Sequence, residues 1–196
     1  QHLLSLINDI LDMAKIEAGK LTLHYERVSL KEVVDDAARL MRGKIQEAGL
    51  NLVVDAPGLP DVEADHRGLK QVVLNLVSNA VKFTPEGGDI VIALSQLDDD
   101  RVRVAVTDTG IGIASEDLER LARPFEQAEG QHSKTTQGTG LGLALTKSLV
   151  ELHGGELRIE SEPGQGTTVC FDLSIRRAAA AGAEAGPPGG RAPSSQ

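Results

Sequence analysis

Three polar side chains in the stretch NLVSNAVKFTPEGG, residues 75–88, have the chemistry needed to hold a charged ligand. In a helix of ~3.6 residues per turn, Asn75, Asn79 and Lys82 fall within roughly 60° of one another. Amide oxygens suit a hard cation whose charge is met mainly by phosphate oxygens, and a lysine one turn on can pair with the phosphates. The alternative is a solvated helix face, which favours Glu and Lys over Asn.

The motif DTGIGI places a carboxylate at the end of a predicted strand. Asp108 there can accept a hydrogen bond from an exocyclic amine. Gly110 and Gly112 allow either a close approach of the backbone to a flat ligand or a positive φ. Taken alone, this motif is more often a turn than a binding site.

The motif QGTGLGL, residues 137–143, opens a predicted helix. Its glycines leave backbone N–H groups free beside a helix N-terminus, which is typical of an anion site: Gly138, Gly140 and Gly142. A Rossmann dinucleotide site is excluded, because a polar loop and not a strand precedes the motif. That loop, residues 126–137, has no apolar stripe, which predicts a mobile lid.

The elements that must position these motifs are runs of strands with helices segregated between them. Ser29 and Glu32 form a capping box that opens a helix over 30–48, and an amphipathic helix over 65–83 carries the amide and lysine residues. Further helices are predicted at 115–122 and 140–155. Alternating apolar residues predict strands at 50–55, 90–97, 101–108, 156–161 and 167–175. This order predicts an α+β two-layer sandwich with helices on one face of the sheet.

The first twenty residues have a different pattern. Apolar residues recur every three or four positions, as in the seam of a helical bundle: Leu4, Ile7, Leu11, Ala14 and Ala18. Gly19 is a helix stop signal. One such helix needs partners to be stable, so we expect the chain to be the C-terminal part of a larger protein.

Composition excludes several classes of protein. The net charge of −9 argues against general nucleic-acid binding, and the single cysteine, Cys170, rules out a disulfide framework. No apolar run reaches membrane-spanning length, so a cytoplasmic location is expected. Residues 178–196 are low in complexity, which predicts a disordered tail.

Together the motifs, in this order, resemble the catalytic ATP-binding domain of sensor histidine kinases, a branch of the Bergerat-fold ATPases. The corresponding boxes are NLVSNAVKFT, DTGIGI, RPFEQ, QGTGLGL and the hairpin SEPGQGTT. The first helix resembles the end of a dimerisation and histidine-phosphotransfer domain. The resemblance implies four segments: a dimerisation helix at 1–20, a linker at 21–29, the catalytic domain at 30–177 and the tail at 178–196.

The resemblance also implies roles for individual residues. Asn79 would bind Mg²⁺, supported by Asn75 directly or through water. Lys82 would contact phosphate, Phe83 would flank the nucleotide, and Asp108 would bind the adenine amine. The residues implied in ATP binding are Asn75, Asn79, Lys82, Phe83, Asp108, Gly110, Gly112, Lys134, Thr135, Thr136, Gly138, Thr139, Gly140, Leu141, Gly142 and Thr168.

Two features depart from the family pattern. Gln137 stands where the family often has a glycine, and no H-box histidine is present, so the phosphoacceptor is expected outside this chain. His2 lacks the H-box pattern and is predicted to be an exposed helix-end residue. The other histidines are predicted to lie on the surface: His24, His66, His132 and His153.

Two functions remain open from the sequence. Related gyrase-type and chaperone ATPases carry a Glu at the position of Asn75, and an amide cannot act as their general base, which favours a phosphotransferase using ATP and Mg²⁺. The alternative is an inactive kinase-like scaffold that binds nucleotide and a receiver domain. The resemblance implies a homodimer and a response regulator as partners, and leaves open whether the parent protein is anchored in the inner membrane.

Overall fold

The computed structural model describes residues 2–121 and 141–176. Its elements are α1 (His2–Glu17), β1 (Glu26–Val28), α2 (Leu30–Glu47), β2 (Asn51–Asp55), β3 (Val62–Ala64), α3 (His66–Phe83), β4 (Asp89–Gln96), β5 (Arg101–Asp108), α4 (Ser115–Leu121), α5 (Gly142–Leu152), β6 (Glu156–Glu162) and β7 (Gly166–Ser174). Each helix and strand predicted from sequence lies within a few residues of an observed element.

The larger sheet has the strand order β2-β4-β5-β7-β6. β2 runs parallel to β4, and the other neighbours pair antiparallel. Successive side chains of a strand point to opposite faces, and the centre of one face is almost fully buried, with Ile92, Val104 and Phe171 at 0–1% exposure. Apolar burial on this one face is the main stabilising contribution of the sheet.

Helices α2, α3 and α5 cover that buried face, which confirms the predicted two-layer α+β sandwich. The apolar stripe of α2 is buried, with Val33 and Val34 at 0% exposure. As the capping box predicts, Ser29 Oγ accepts a hydrogen bond from the Glu32 N–H at 3.4 Å. α3 lies between α2 and α5, so one side of α3 faces α5.

A second, two-stranded sheet was not predicted. β1 pairs antiparallel with β3, and Val28 opposes Val62. Both valines are buried, at 3% and 1% exposure, so part of the segment predicted as a plain linker over 21–29 belongs to the hydrophobic core. Strands of three residues are too short to show an alternating pattern in sequence.

The first helix has two apolar sides. Met13 is buried and Ile16 is half-buried where α1 approaches α5, whereas Ile7 and Leu11 of the predicted seam are 46% and 51% exposed. α1 ends at Glu17, and the predicted stop signal Gly19 follows it with a positive φ of 63° that suits the Schellman geometry. No helix within the described ranges is both long enough and apolar enough to cross a membrane.

His153 was predicted to lie on the surface, and the structure corrects this. Its Nε2 accepts a hydrogen bond from the Asp65 N–H at 3.1 Å, and its Nδ1 lies 2.7 Å from the Leu149 carbonyl oxygen. Leu149 O is an acceptor, so Nδ1 carries the proton. His153 therefore joins the end of α5 to the start of α3, a tertiary contact that its position at a helix end did not reveal.

Candidate nucleotide-binding site

Helix α3 carries the predicted amides and lysine along one half-buried side. Asp65 caps the helix, its Oδ1 accepting the Gly68 N–H at 2.9 Å. Six residues of α3 are buried: Leu69, Val72, Val73, Leu76, Val77 and Ala80. Asn75, Asn79 and Lys82 are half-buried, and α3 ends at Phe83, which is 40% exposed. The helix thus offers one polar side, about 12 Å long between positions 75 and 83 at about 1.5 Å per residue.

Asn75 is tied to the start of α5. Its Nδ2 donates to the Gly142 carbonyl oxygen and to Thr146 Oγ1, each at 3.3 Å. Its Oδ1 accepts from Gln71 Nε2 at 3.0 Å. These bonds place the first residue of the glycine-rich helix beside the amide, so the sequence motifs at 75 and 142 meet in space.

Asn79 and Lys82 have no polar partners among the described residues. No hydrogen bond to a described residue involves the Asn79 amide, and no described carboxylate pairs with Lys82. The Lys82 Nζ lies 4.8 Å from the centre of the Phe83 ring, within the range of a cation–π contact. Burial lowers the pKa of Lys82, because desolvation disfavours the ammonium. A bound phosphate would offset that penalty, because its negative charge favours the ammonium.

Asp108 lies at the end of β5 and is buried, at 8% exposure. Its Oδ1 accepts the Gly110 N–H at 2.8 Å. Burial raises the pKa of Asp108, while hydrogen bonds from the backbone of Gly110 and Thr167 oppose the rise. A buried carboxylate without a cationic partner costs free energy, and such perturbed groups are concentrated at binding sites.

The turn that follows Asp108 is wedged between α3 and the hairpin of β6 and β7. The Ile111 N–H donates to the Phe83 carbonyl oxygen at 3.1 Å. An added Cβ on Gly110 would lie 2.6 Å from the Phe83 oxygen, and one on Gly112 would lie 1.9 Å from the Glu162 oxygen. Of the two roles predicted for these glycines, a positive φ is observed at Gly112, at 69°. The close packing of both glycines against protein backbone was not predicted.

Thr168, the hairpin threonine predicted to bind ATP, does not lie on the face of the sheet that carries Asp108. Thr168 Oγ1 lies 3.0 Å from Thr107 Oγ1, in register with Thr107, whereas Thr167 is in register with Asp108. Because strand residues alternate between faces, Thr167 shares the face of Asp108 and Thr168 does not. We therefore revise this position of the candidate site from Thr168 to Thr167.

Only the end of the second glycine motif is described. Leu141 is 1% exposed, and its carbonyl oxygen accepts the Leu145 N–H at 2.8 Å, so it packs at the start of α5. Gly142 follows it as the first residue of the helix. The other predicted residues of this region lie outside the described residues: Lys134, Thr135, Thr136, Gly138, Thr139 and Gly140.

The donor set on α3 fits a magnesium ion that is held mainly by phosphate. Mg²⁺ prefers oxygen ligands and commonly takes only one or two from protein in nucleotide sites. The Asn79 amide is unengaged by described residues, and the Asn75 Oδ1 accepts one hydrogen bond and so retains a lone pair. No group of three acidic, histidine or cysteine ligands occurs among the described residues, so within that part of the chain these amides are the candidate ligands.

Sequence reasoning missed three residues that shape this site. Thr146 and Gln71 hold the Asn75 amide, and Thr167 lies beside Asp108. Gln71 stands one turn before Asn75, a spacing that indicates side-chain contact on a helix. For Thr167 the signal was Phe171. A large apolar residue in an alternating strand indicates the core face, and positions 167 and 169 share that face with 171.

The comparisons with known proteins agree with this geometry. The profile of the family described as "Histidine kinase-, DNA gyrase B-, and HSP90-like ATPase" matches residues 64–177, more than half of the chain. Histidine protein kinase DivJ of Caulobacter vibrioides is 49% identical over 188 residues, which cover 95% of this chain and 31% of DivJ. The "Non-motile and phage-resistance protein" of the same organism is 60% identical over 179 residues, 90% of this chain and 21% of that protein.

Solved structures give the same picture. Full-length ShkA in complex with AMPPNP superposes with a TM-score of 0.79 and 36% identity, covering 91% of this chain and 37% of ShkA. The catalytic domain of histidine kinase ThkA matches with a TM-score of 0.70 and 30% identity, covering 79% of this chain and 98% of that domain. The chain spans less than a third of the length of the curated relatives named above. This chain belongs to the histidine kinase-, DNA gyrase B- and HSP90-like ATPase family, within which it carries the catalytic domain of a histidine kinase.

Proposed function

We propose that the chain binds Mg·ATP and transfers the γ-phosphoryl group to a histidine on a dimerisation domain, for relay to a response regulator. The family and the site geometry support this proposal. ShkA, which shares the fold at 36% identity, was solved with AMPPNP. The polar side of α3, the Asp108 turn and the start of α5 come together where such a ligand would lie.

The observation that carries the proposal is that an amide, Asn75, stands at this position and is held by hydrogen bonds to α5. Its amide nitrogen is committed as a donor to two acceptors on α5, and an amide has no basic form that could take a proton from water. Phosphoryl transfer depends chiefly on positioning and charge neutralisation. A site of this kind holds ATP and leaves the attack to an external nucleophile, here a histidine nitrogen.

Each described residue then has a defined task. The Asp108 carboxylate accepts a hydrogen bond from the adenine amine, and Phe83 covers one side of the nucleotide. The Lys82 ammonium pairs with phosphate oxygens. Asn79, with Asn75 beside it, would hold the magnesium ion. Bound Mg²⁺ neutralises charge on the phosphates and so favours transfer.

The partners follow from the first helix. Ile7, Ile10 and Leu11 of α1 are 46–51% exposed, and an exposed apolar stripe of this kind is typical of an interaction surface. We infer that residues 1–20 end a dimerisation helix that pairs with a second copy, that 30–177 form the catalytic domain, and that the substrate histidine lies on the dimerisation domain. Because ATP is available in the cytoplasm, we expect the reaction on the cytoplasmic side of any membrane.

Transfer of label from γ-³²P-ATP tests the proposal. The chain alone should remain unlabelled, and a separately supplied H-box dimerisation domain should become labelled when the chain and Mg²⁺ are added. The variant Asn79→Ala should lose this transfer, and Ser78→Ala, at an exposed position of the same helix, should keep it. ATP binding without label on a cognate domain would support the scaffold function instead. Label on the chain that is lost in His2→Ala would place the acceptor within it.

A further inference from the structure

Thr146 is a buried polar residue on the core side of α5. The other buried residues of this helix are apolar, namely Ala144, Leu145, Leu149 and Val150. Thr146 itself is 0% exposed, and burial of a hydroxyl costs free energy unless it is hydrogen-bonded. Valine has the same shape and would carry no such cost, so the hydroxyl calls for an explanation.

The Thr146 hydroxyl both donates and accepts a hydrogen bond. Thr146 Oγ1 donates to the Gly142 carbonyl oxygen at 2.8 Å and accepts from Asn75 Nδ2 at 3.3 Å. A bond to the carbonyl four residues earlier is common for threonine in helices and would explain the first contact alone. The second contact crosses to α3 and needs a different reason.

The pair of acceptors on α5 fixes which way the Asn75 amide faces. Gly142 O and Thr146 Oγ1 both accept from its nitrogen, so a flipped amide would set its oxygen against the Gly142 oxygen. The Asn75 oxygen is thereby directed away from α5, where Gln71 Nε2 donates to it at 3.0 Å. Without the Thr146 hydroxyl, only one of the two acceptors would remain.

We propose that Thr146 is a positioning residue that acts through Asn75: its hydroxyl orients the amide oxygen and so sets how strongly Mg²⁺ increases the affinity for nucleotide. The inference rests on the proposed function, in which Asn75 supports the magnesium ion. Gln71 holds the same amide from within α3, whereas Thr146 links it to α5. The orientation of the amide is therefore coupled to the start of the glycine-rich helix.

The test compares Thr146→Val, Thr146→Ser and the control Ser148→Ala, which removes a hydroxyl from the same helix at a half-buried position. Calorimetry gives the Kd for ATP with Mg²⁺ and with excess EDTA for each variant. Loss of one hydrogen bond should reduce the Mg²⁺-dependent gain in affinity by about threefold to tenfold in Thr146→Val. The Kd in EDTA should stay within about twofold of the unsubstituted chain. Thr146→Ser should restore the gain, and Ser148→Ala should not change it.

A second measurement needs no nucleotide. In ¹H–¹⁵N spectra of the full chain, the side-chain amide pair missing from Asn75→Asp identifies the Asn75 resonances. In Thr146→Val these resonances should move toward those of freely rotating amides and exchange faster with solvent, and in Thr146→Ser they should not.

An equal loss of affinity with and without Mg²⁺ would overturn the positioning role, because a purely structural defect weakens both. So would an unmoved Asn75 amide in Thr146→Val. If the unsubstituted chain bound no ATP under either condition, the proposed function would fail. The amide spectra would then decide by themselves whether Thr146 orients Asn75.

Discussion

Replacing Asp108 with asparagine isolates the chemistry of base recognition, since the two side chains have nearly the same shape. The amide oxygen of the Asp108→Asn variant can still accept the Gly110 N–H that now lies 2.8 Å from the carboxylate. The negative charge, however, is removed from a residue that is 8% exposed. Hydrogen bonds to charged groups contribute about 1.5–3 kcal/mol, so ATP affinity should fall by about 10- to 150-fold.

The stability of the unliganded chain should change far less. Burial raises the pKa of Asp108. The folded chain therefore binds this proton more tightly than the unfolded chain, and the carboxylate costs stability above its folded pKa, a cost relieved as the pH falls through that value. The asparagine side chain removes that cost but turns an NH₂ group toward one of the backbone donors. These opposing effects should leave the free energy of unfolding within about 1 kcal/mol of the original value.

The choice of nucleotide gives the sharpest readout. Inosine triphosphate differs from ATP in carrying a carbonyl oxygen where adenine has its amine. The original chain should prefer ATP, whereas the new NH₂ group of the Asp108→Asn variant can donate to the carbonyl and should bring the two affinities close together. Calorimetry with both nucleotides measures the ratio, and thermal unfolding monitors the fold. An unchanged ATP preference in this variant would refute the assignment of Asp108 to the adenine amine.

Three further predictions follow from the packing. Gly112→Ala should lower the free energy of unfolding by more than about 2 kcal/mol, because the φ of Gly112 is +69° and the new Cβ would lie 1.9 Å from the Glu162 oxygen. The control Gly43→Ala, with nothing within 4 Å of the new Cβ, should be neutral or stabilising by up to about 1 kcal/mol. Urea unfolding measures both changes. Asp172→Asn should cost about 1–3 kcal/mol at neutral pH, because Arg103 donates to both carboxylate oxygens at 2.6 and 2.9 Å. Those bonds lower the pKa of Asp172 below 3.8, so the difference between the two chains should persist above about pH 4 and vanish as the pH falls through the lowered pKa; a constant difference across this range would contradict it. Sedimentation of the full chain should show self-association that weakens in Ile7→Ser/Leu11→Ser, and a monomer at all concentrations would count against the exposed side of α1 as an interface.

Local sequence signals predicted most of the fold because they are strong for long elements. The stripe of α2 and its cap at Ser29 need only neighbouring residues to be read, and so does the alternation that defines β5. The two-layer arrangement follows from these elements, because each has one apolar side to bury. β1 and β3 escaped prediction since their pairing joins segments more than thirty residues apart, and each is too short to carry a pattern.

The candidate site was predictable in its residue types and less so in its contacts. Asn75, Lys82 and Asp108 were predicted from motif and spacing, and their roles in ATP binding stay predictions, although the fold brings their elements together. The choice between Thr167 and Thr168 depends on the register of β7 against β5, where a shift of one residue exchanges the faces. The hydrogen bond between Asn75 and Thr146 joins residues 71 positions apart, and no local pattern encodes it.

Calorimetric titration of the full chain with ATP in the presence of Mg²⁺ tests the central claim most directly. We predict saturable binding of one ATP per chain, weakened by tenfold or more in Asn79→Ala and unchanged in Ser78→Ala, because Asn79 would supply an oxygen to the magnesium ion whereas Ser78 is exposed on the same helix. The absence of measurable ATP binding by the unsubstituted chain, or equal binding by all three chains, would contradict the account.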